Sequence, residues 1–213
     1  MKKLCLAVLL LAGGLPVQAQ PFVPSSARAV PIAPGVDTPE QRQRLYTFSA
    51  CMAHARPRWA RETLARPYLS KDQERLAGIV LKGTDSCIVG RDDTEVTFRT
   101  SGLVGSLAEY VLRAELDKTD PARLARALNS IAPLNASEDF ALCVASRNPD
   151  GARALALSLP GSEAEAGAAR RLAGDVTPCL RSGEEASVDL QSLRALMSIA
   201  LYRGVMALAP NRS

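Results

Sequence analysis

The chain has 213 residues, 47% of them hydrophobic and 23% charged, with a formal net charge of +4 and a sequence pI ≈ 8.9. That length is enough for a buried core, as one domain or two small ones. Half of the excess charge lies in Lys2 and Lys3, and a chain without them carries +2, so the pI does not point to nucleic acid and no nucleic-acid partner is expected.

Residues 1–19 read as an export signal. Lys2 and Lys3 precede an apolar run over 4–15, and Val17 and Ala19 stand at −3 and −1 of a small-residue cleavage site. The run is shorter than the roughly 20 apolar residues a bilayer span requires. No second long apolar run follows, so the mature chain is expected to be soluble and not membrane-spanning. The signal specifies export, with the periplasm as the first expectation and secretion as the other. Cys5 lies inside the apolar run, away from the first mature position where a lipoprotein carries its lipid. Residues 20–38, with Pro21, Pro24, Pro31 and Pro34, lack helical or strand periodicity and read as a proline-rich tether.

Beyond the tether the chain repeats itself. A shift of 92 positions lays Cys51 on Cys143 and Cys87 on Cys179, and without a gap also Phe48 on Phe140, Pro57 on Pro149, Arg61 on Arg153, Ser70 on Ser162 and Tyr110 on Tyr202. Two cysteines, a proline and two aromatics in one register point to a tandem duplication. The first helical repeat spans 39–116, a connecting helix 117–134, the second repeat 135–209, and 210–213 is a tail.

Each repeat predicts the same succession of elements. Thr38, Pro39 and Gln41 supply an N-cap, a first-turn proline and a capping-box partner for a helix carrying Leu45, Phe48, Cys51 and Met52 on one face. Ser137 opens the equivalent helix, with Phe140, Cys143 and Val144. Pro57 and Pro149 interrupt and restart the helix. Ser70 with Gln73, and Ser162 with Glu165, form capping boxes for a third helix. Residues 95–99 and 187–191 alternate in polarity like very short strands. Each repeat closes on its most apolar helix: Leu103, Val104, Leu107, Ala108, Val111 and Leu112 form a broad stripe in the first, and 193–208 is apolar almost all round in the second. Asp120 and Pro121 cap the connecting helix, which carries Leu124, Leu128 and Ile131. The fold class expected is all-α apart from those short strands, a pseudo-two-fold helical bundle with the closing helices packed together. Gly102 and Gly105 would permit that close packing.

Four cysteines remain after the signal, which suggests two disulfides in an oxidising compartment. A duplicated self-sufficient unit carries its own bridge, so locality selects Cys51–Cys87 and Cys143–Cys179. Each closes a loop of about 36 residues and contributes about 3.8 kcal/mol on the chain-entropy model. Zinc ligand pairs sit two to four residues apart, a spacing these cysteines lack.

Little in the chain announces chemistry. His54, three positions after Cys51, could form a Cys–His dyad, but the thiol is expected to be bridged and the second repeat has Ser146 there. The sequence has no Gly-x-Ser-x-Gly, His-Glu-x-x-His, Ser-x-x-Lys or phosphate-cradling glycine loop, so no catalytic residue, cofactor or metal is assigned. Asp92, Asp93 and Glu95 could pair for acid–base work, though solvated charge in a polar loop explains them better. Arg56, Arg58, Arg61 and Arg66 gather around Trp59, the only tryptophan, and could bind anionic groups through forked hydrogen bonds and stacking. Tyr110 and Tyr202 are positioned for packing between the repeats. The expectation is an exported, non-enzymatic interaction or scaffold protein, its partner open between an envelope protein and an anionic envelope polymer. One alternative is a binder of anionic envelope polymers through the Arg56 to Arg66 face, and another is a carboxylate-dependent hydrolase.

Overall fold

The structure, a computed structural model, describes residues 38–81, 87, 99–180 and 188–209. The expected export signal and tether before Thr38, residues 95–98 of the first expected strand, the tail and Asp92, Asp93 and Glu95 lie outside these.

Prolines and caps set the helices. Thr38 opens α1 (Pro39–Ala55) with a full capping box: its hydroxyl accepts the Gln41 N–H at 3.2 Å, and Gln41 Oε1 accepts the Thr38 N–H at 3.0 Å. The helix ends at Arg56, because Pro57 lacks an N–H and its ring clashes with the preceding turn. The same proline suits the first turn of α2 (Pro57–Leu64).

At α3 (Lys71–Leu81) the expected box takes a different form. Ser70 Oγ accepts the Gln73 N–H at 3.2 Å, but Gln73 Oε1 reaches one residue further back, to the Leu69 N–H at 2.8 Å. Leu69 adopts the left-handed region at φ 60°.

The stripe predicted for α4 (Thr100–Leu116) is present: Leu103, Val104, Leu107, Ala108 and Leu112 are buried and Val111 is half-buried. Asp120 caps α5 (Pro121–Ser130), accepting the Arg123 N–H at 2.8 Å, and Leu124 and Leu128 are buried.

The next helix, α6 (Ala136–Arg147), starts earlier than expected. Asn135 rather than Ser137 is its N-cap, accepting the Glu138 N–H at 3.0 Å, because the Asn135 amide also reaches Tyr68 O at 2.6 Å and is fixed in place. Asn148 separates α6 from α7 (Pro149–Leu157) as Arg56 separates α1 from α2. At α8 (Glu163–Val176) the pattern seen at α3 recurs: Ser162 Oγ accepts the Glu165 N–H, and Glu165 Oε2 accepts the Gly161 N–H at 2.7 Å, with Gly161 at φ 80°. A 3-10 turn (Thr177–Cys179) follows.

The last helix, α9 (Leu190–Leu208), corrects the second strand expectation. Asp189 accepts the Ser192 N–H at 2.7 Å, which satisfies an open donor at the helix start, so Leu190 and Gln191 are helical. Among the described residues there is no strand, and no helix is long and apolar enough to cross a membrane.

The pair α4 and α9 makes the most extensive helix–helix contact, with α1 lying on α4 and α6 on α9. The closest approach is at Gly105, where a Cβ would fall 2.3 Å from Ala195 Cβ and 2.5 Å from its Cα. Disulfides join Cys51 to Cys87 and Cys143 to Cys179, each with Cα atoms 5.7 Å apart.

Candidate functional site

The arginine cluster does not stand as an open face around an exposed aromatic ring. Pro57 turns the chain so that Trp59 packs half-buried against the core, and its Nε1 donates to Leu76 O at 3.0 Å. Arg58 is exposed and paired with Glu62 at 2.9 Å, an i,i+4 pair on the outer side of α2. Arg56, Arg61 and Arg66 are exposed, as is His54.

Of this set Arg61 joins a concave surface. It lines a cleft of about 700 Å³ formed where α4 and α9 end and α5 begins. Val111 from α4 and Tyr202, Val205, Met206 and Leu208 from α9 supply apolar lining. Glu115, Lys118, Asp120 and Arg123 supply charge. Lys118 lies 3.9 Å from Glu115, and the Asp120 carboxylate is engaged in capping α5. Among the described residues, neither Arg61 nor Arg123 has an ion-pair partner. Burial raises the Tyr202 phenol above its ordinary value, with the Arg61 guanidinium pulling the other way.

The two tyrosines expected to act alike have different surroundings. Tyr202 is 8% exposed and lines the cleft, whereas Tyr110 is 37% exposed on α4. One turn beyond Tyr110, Arg113 lies over the Tyr46 ring, 5.5 Å from its centroid. Leu159, also exposed, lies in the turn after α7, where Arg113 donates to the carbonyls of Leu157, Ala156 and Ser158.

Sequence reasoning missed a buried ion network. Arg194 on α9 donates Nε and Nη2 to the two oxygens of Glu109 on α4, at 2.7 and 2.6 Å. Its remaining N–H groups reach Glu165 Oε1 at 3.0 Å, Ser158 Oγ at 2.9 Å and Ser158 O at 2.7 Å. Glu165 Oε2 accepts from Arg42 at 3.2 and 3.1 Å, which ties α1 to α8. Burial pushes the Glu109 carboxyl up from its ordinary value, with Arg194 and Arg113 opposing that shift. A void of about 10 Å³, on the order of one water probe, touches Arg42, Glu109 and Arg194. The network is enclosed and braces the helices; it offers no room for a substrate.

A third buried carboxylate acts in the same way. Glu138 pairs with Arg203 and accepts the N–H groups of Tyr68 at 2.9 Å and Leu134 at 3.0 Å, joining α6 to α9 and to the turn before α3. Among the described residues no group of three or more potential ligands could hold a metal ion.

The chain matches no protein-family model, no curated protein and no solved structure.

Proposed function

We propose that the protein is an exported, non-enzymatic interaction module, built by tandem duplication of one helical unit into a pseudo-two-fold bundle. The register of 92 supports the duplication. Under it α1 and α2 correspond to α6 and α7, α3 to α8 and α4 to α9, and the two disulfides coincide. The unusual turns coincide too. Leu69 and Gly161 both have positive φ, and each donates its N–H to the side chain four residues later.

The observation that carries the interaction reading is the cleft. Its lining comes from both units, mixes apolar and charged side chains, and falls within the volume range of ordinary binding clefts. Its two carboxylates are engaged with Lys118 and with the α5 N-terminus, a placement suited to recognition rather than to paired acid–base chemistry.

Capture by the tagged protein from envelope extract, at low and high salt, tests this reading. A specific protein partner retained at high salt, and by an Arg56/Arg58/Arg66→Ala variant that leaves Arg61 of the cleft in place, supports the module. Capture only of lipopolysaccharide or cell-wall fragments, lost in salt and in the variant, replaces it with the anionic-polymer reading.

A further inference from the structure

We infer that the cleft seats an acidic, apolar-flanked segment of a partner protein, with Arg61 taking a carboxylate supplied by that segment. The inference rests on the interaction reading and on the duplication, and it comes from comparing two corresponding arginines.

Arg61 on α2 corresponds to Arg153 on α7. The end of α9 at Leu208 corresponds to the end of α4 at Leu116, and Ala209 corresponds to Asp117. Arg153 has its acceptors within the chain. Its Nη1 donates to the carbonyls of Leu116 and Thr119, and its Nη2 lies 3.8 Å from Asp117 Oδ1. A guanidinium fits there because the last carbonyls of a helix lack intrahelical donors and the helix dipole favours positive charge.

Arg61 lines the cleft together with Leu208 and Ala209, at the corresponding end of α9. Ala209 cannot offer the carboxylate that Asp117 offers to Arg153. Among the described residues, no ion pair or side-chain hydrogen bond engages the Arg61 guanidinium.

Arg123, across the lining, is in the same condition, since only its backbone N–H is engaged, by Asp120. With Glu115 beside Lys118 and the Asp120 carboxylate turned to the α5 N-terminus, the cations of the lining without an ion-pair partner are the two guanidinium groups. Guanidinium favours carboxylate through forked, charge-assisted hydrogen bonds. The same lining includes Val111, Val205 and Met206, which would leave a purely polar chain unmatched and favours apolar side chains beside the acids.

Fluorescence anisotropy with a defined probe tests the inference. The probe is a fluorescein-labelled dodecapeptide repeating Asp-Leu-Ser, and its control carries Lys in place of Asp. Both are titrated against the exported chain and an Arg61→Ala/Arg123→Ala variant whose fold is checked by circular dichroism. The expected result is saturable binding of the acidic peptide only, weakened about tenfold in the variant and further by salt. Equal binding of both peptides, binding unaffected by the variant, or no binding of the acidic peptide overturns the inference. Envelope capture keeps the two readings apart: a partner held equally by wild type and variant leaves the interaction module standing and removes the cleft as its acidic-segment site.

Discussion

Arg194 carries five N–H donors, and each has a partner within 3.0 Å: three on the carboxylates of Glu109 and Glu165 and two on Ser158. Satisfaction that complete is what permits ions so deep in the protein, because each charge is costly to desolvate. Removing one partner leaves buried charge short of acceptors. Glu165→Ala, which strips acceptors from Arg42 and Arg194 together, is expected to cost about 3–5 kcal/mol. Arg58→Ala, which breaks an exposed pair, should change stability by less than about 0.5 kcal/mol. Urea denaturation of both variants checks the contrast, and equal midpoints would contradict the bracing role. Nothing local in the sequence announces this network. Glu109 and Arg194 are 85 residues apart, and each stands among apolar neighbours on a helix with few charges. The usable signal was the opposite sign of these two charges on the helices expected to pack together.

Tyr68 gives a pH prediction at the same scale. Its side chain is buried, with the hydroxyl donating to Ser101 O at 3.3 Å, and burial holds its phenol far above the ordinary value of 10.0. The folded pKa is raised, so this group's contribution is fully present below pH 10 and is lost as pH rises toward the folded value. Above pH 10 the unfolded chain releases the proton and the folded chain keeps it, which weakens folding by about 1.4 kcal/mol per pH unit. Tyr68→Phe should flatten that alkaline decline in denaturation curves between pH 10 and 11.5. An unchanged slope would contradict the assignment.

Helix boundaries were legible wherever a local rule decided them. Thr38 with Gln41, Pro57, Pro149 and Asp120 with Pro121 act within one turn, so the sequence contains the whole interaction. The start of α6 was misplaced by two residues because Asn135 and Ser137 are both capping types, and a hydrogen bond to Tyr68 chose between them. Residues 187–191 alternate like a strand over too few positions to outweigh the Asp189 cap. The pairing of α4 with α9 followed from their apolar stripes, and Gly105 sets its distance. Gly105→Ala would force the two backbones apart, since the added carbon meets Ala195 Cα at 2.5 Å, and should destabilise by about 1–3 kcal/mol. Gly78→Ala, with nothing within 4 Å of its new carbon, should instead stabilise by about 0.5–1 kcal/mol through helix propensity. Thermal melts of the two variants should therefore move in opposite directions.

At the scale of the whole molecule, the all-helical fold and the disulfide pairing were readable because the repeated register reduced two problems to one. Locality then chose Cys51–Cys87 and Cys143–Cys179. The cleft was not readable. Its lining comes from α2, α4, α5 and α9, and of it the sequence marks only Arg61 as a binding candidate, with Tyr202, Val111 and Asp120 noted for packing and capping. Composition placed four arginines near Trp59, but the ring packs inward and its neighbours point to different surroundings. On the proposed function the cleft receives a protein partner in the cell envelope. Site-specific photo-crosslinking tests it most directly, with a benzoylphenylalanine at Met206, which is 40% exposed in the cleft lining, and a control at exposed Glu74 on α3. The account predicts a discrete protein adduct from position 206, absent from position 74 and weakened by Arg61→Ala/Arg123→Ala. The same adduct yield at both positions, or none at 206 in intact cells, would contradict it.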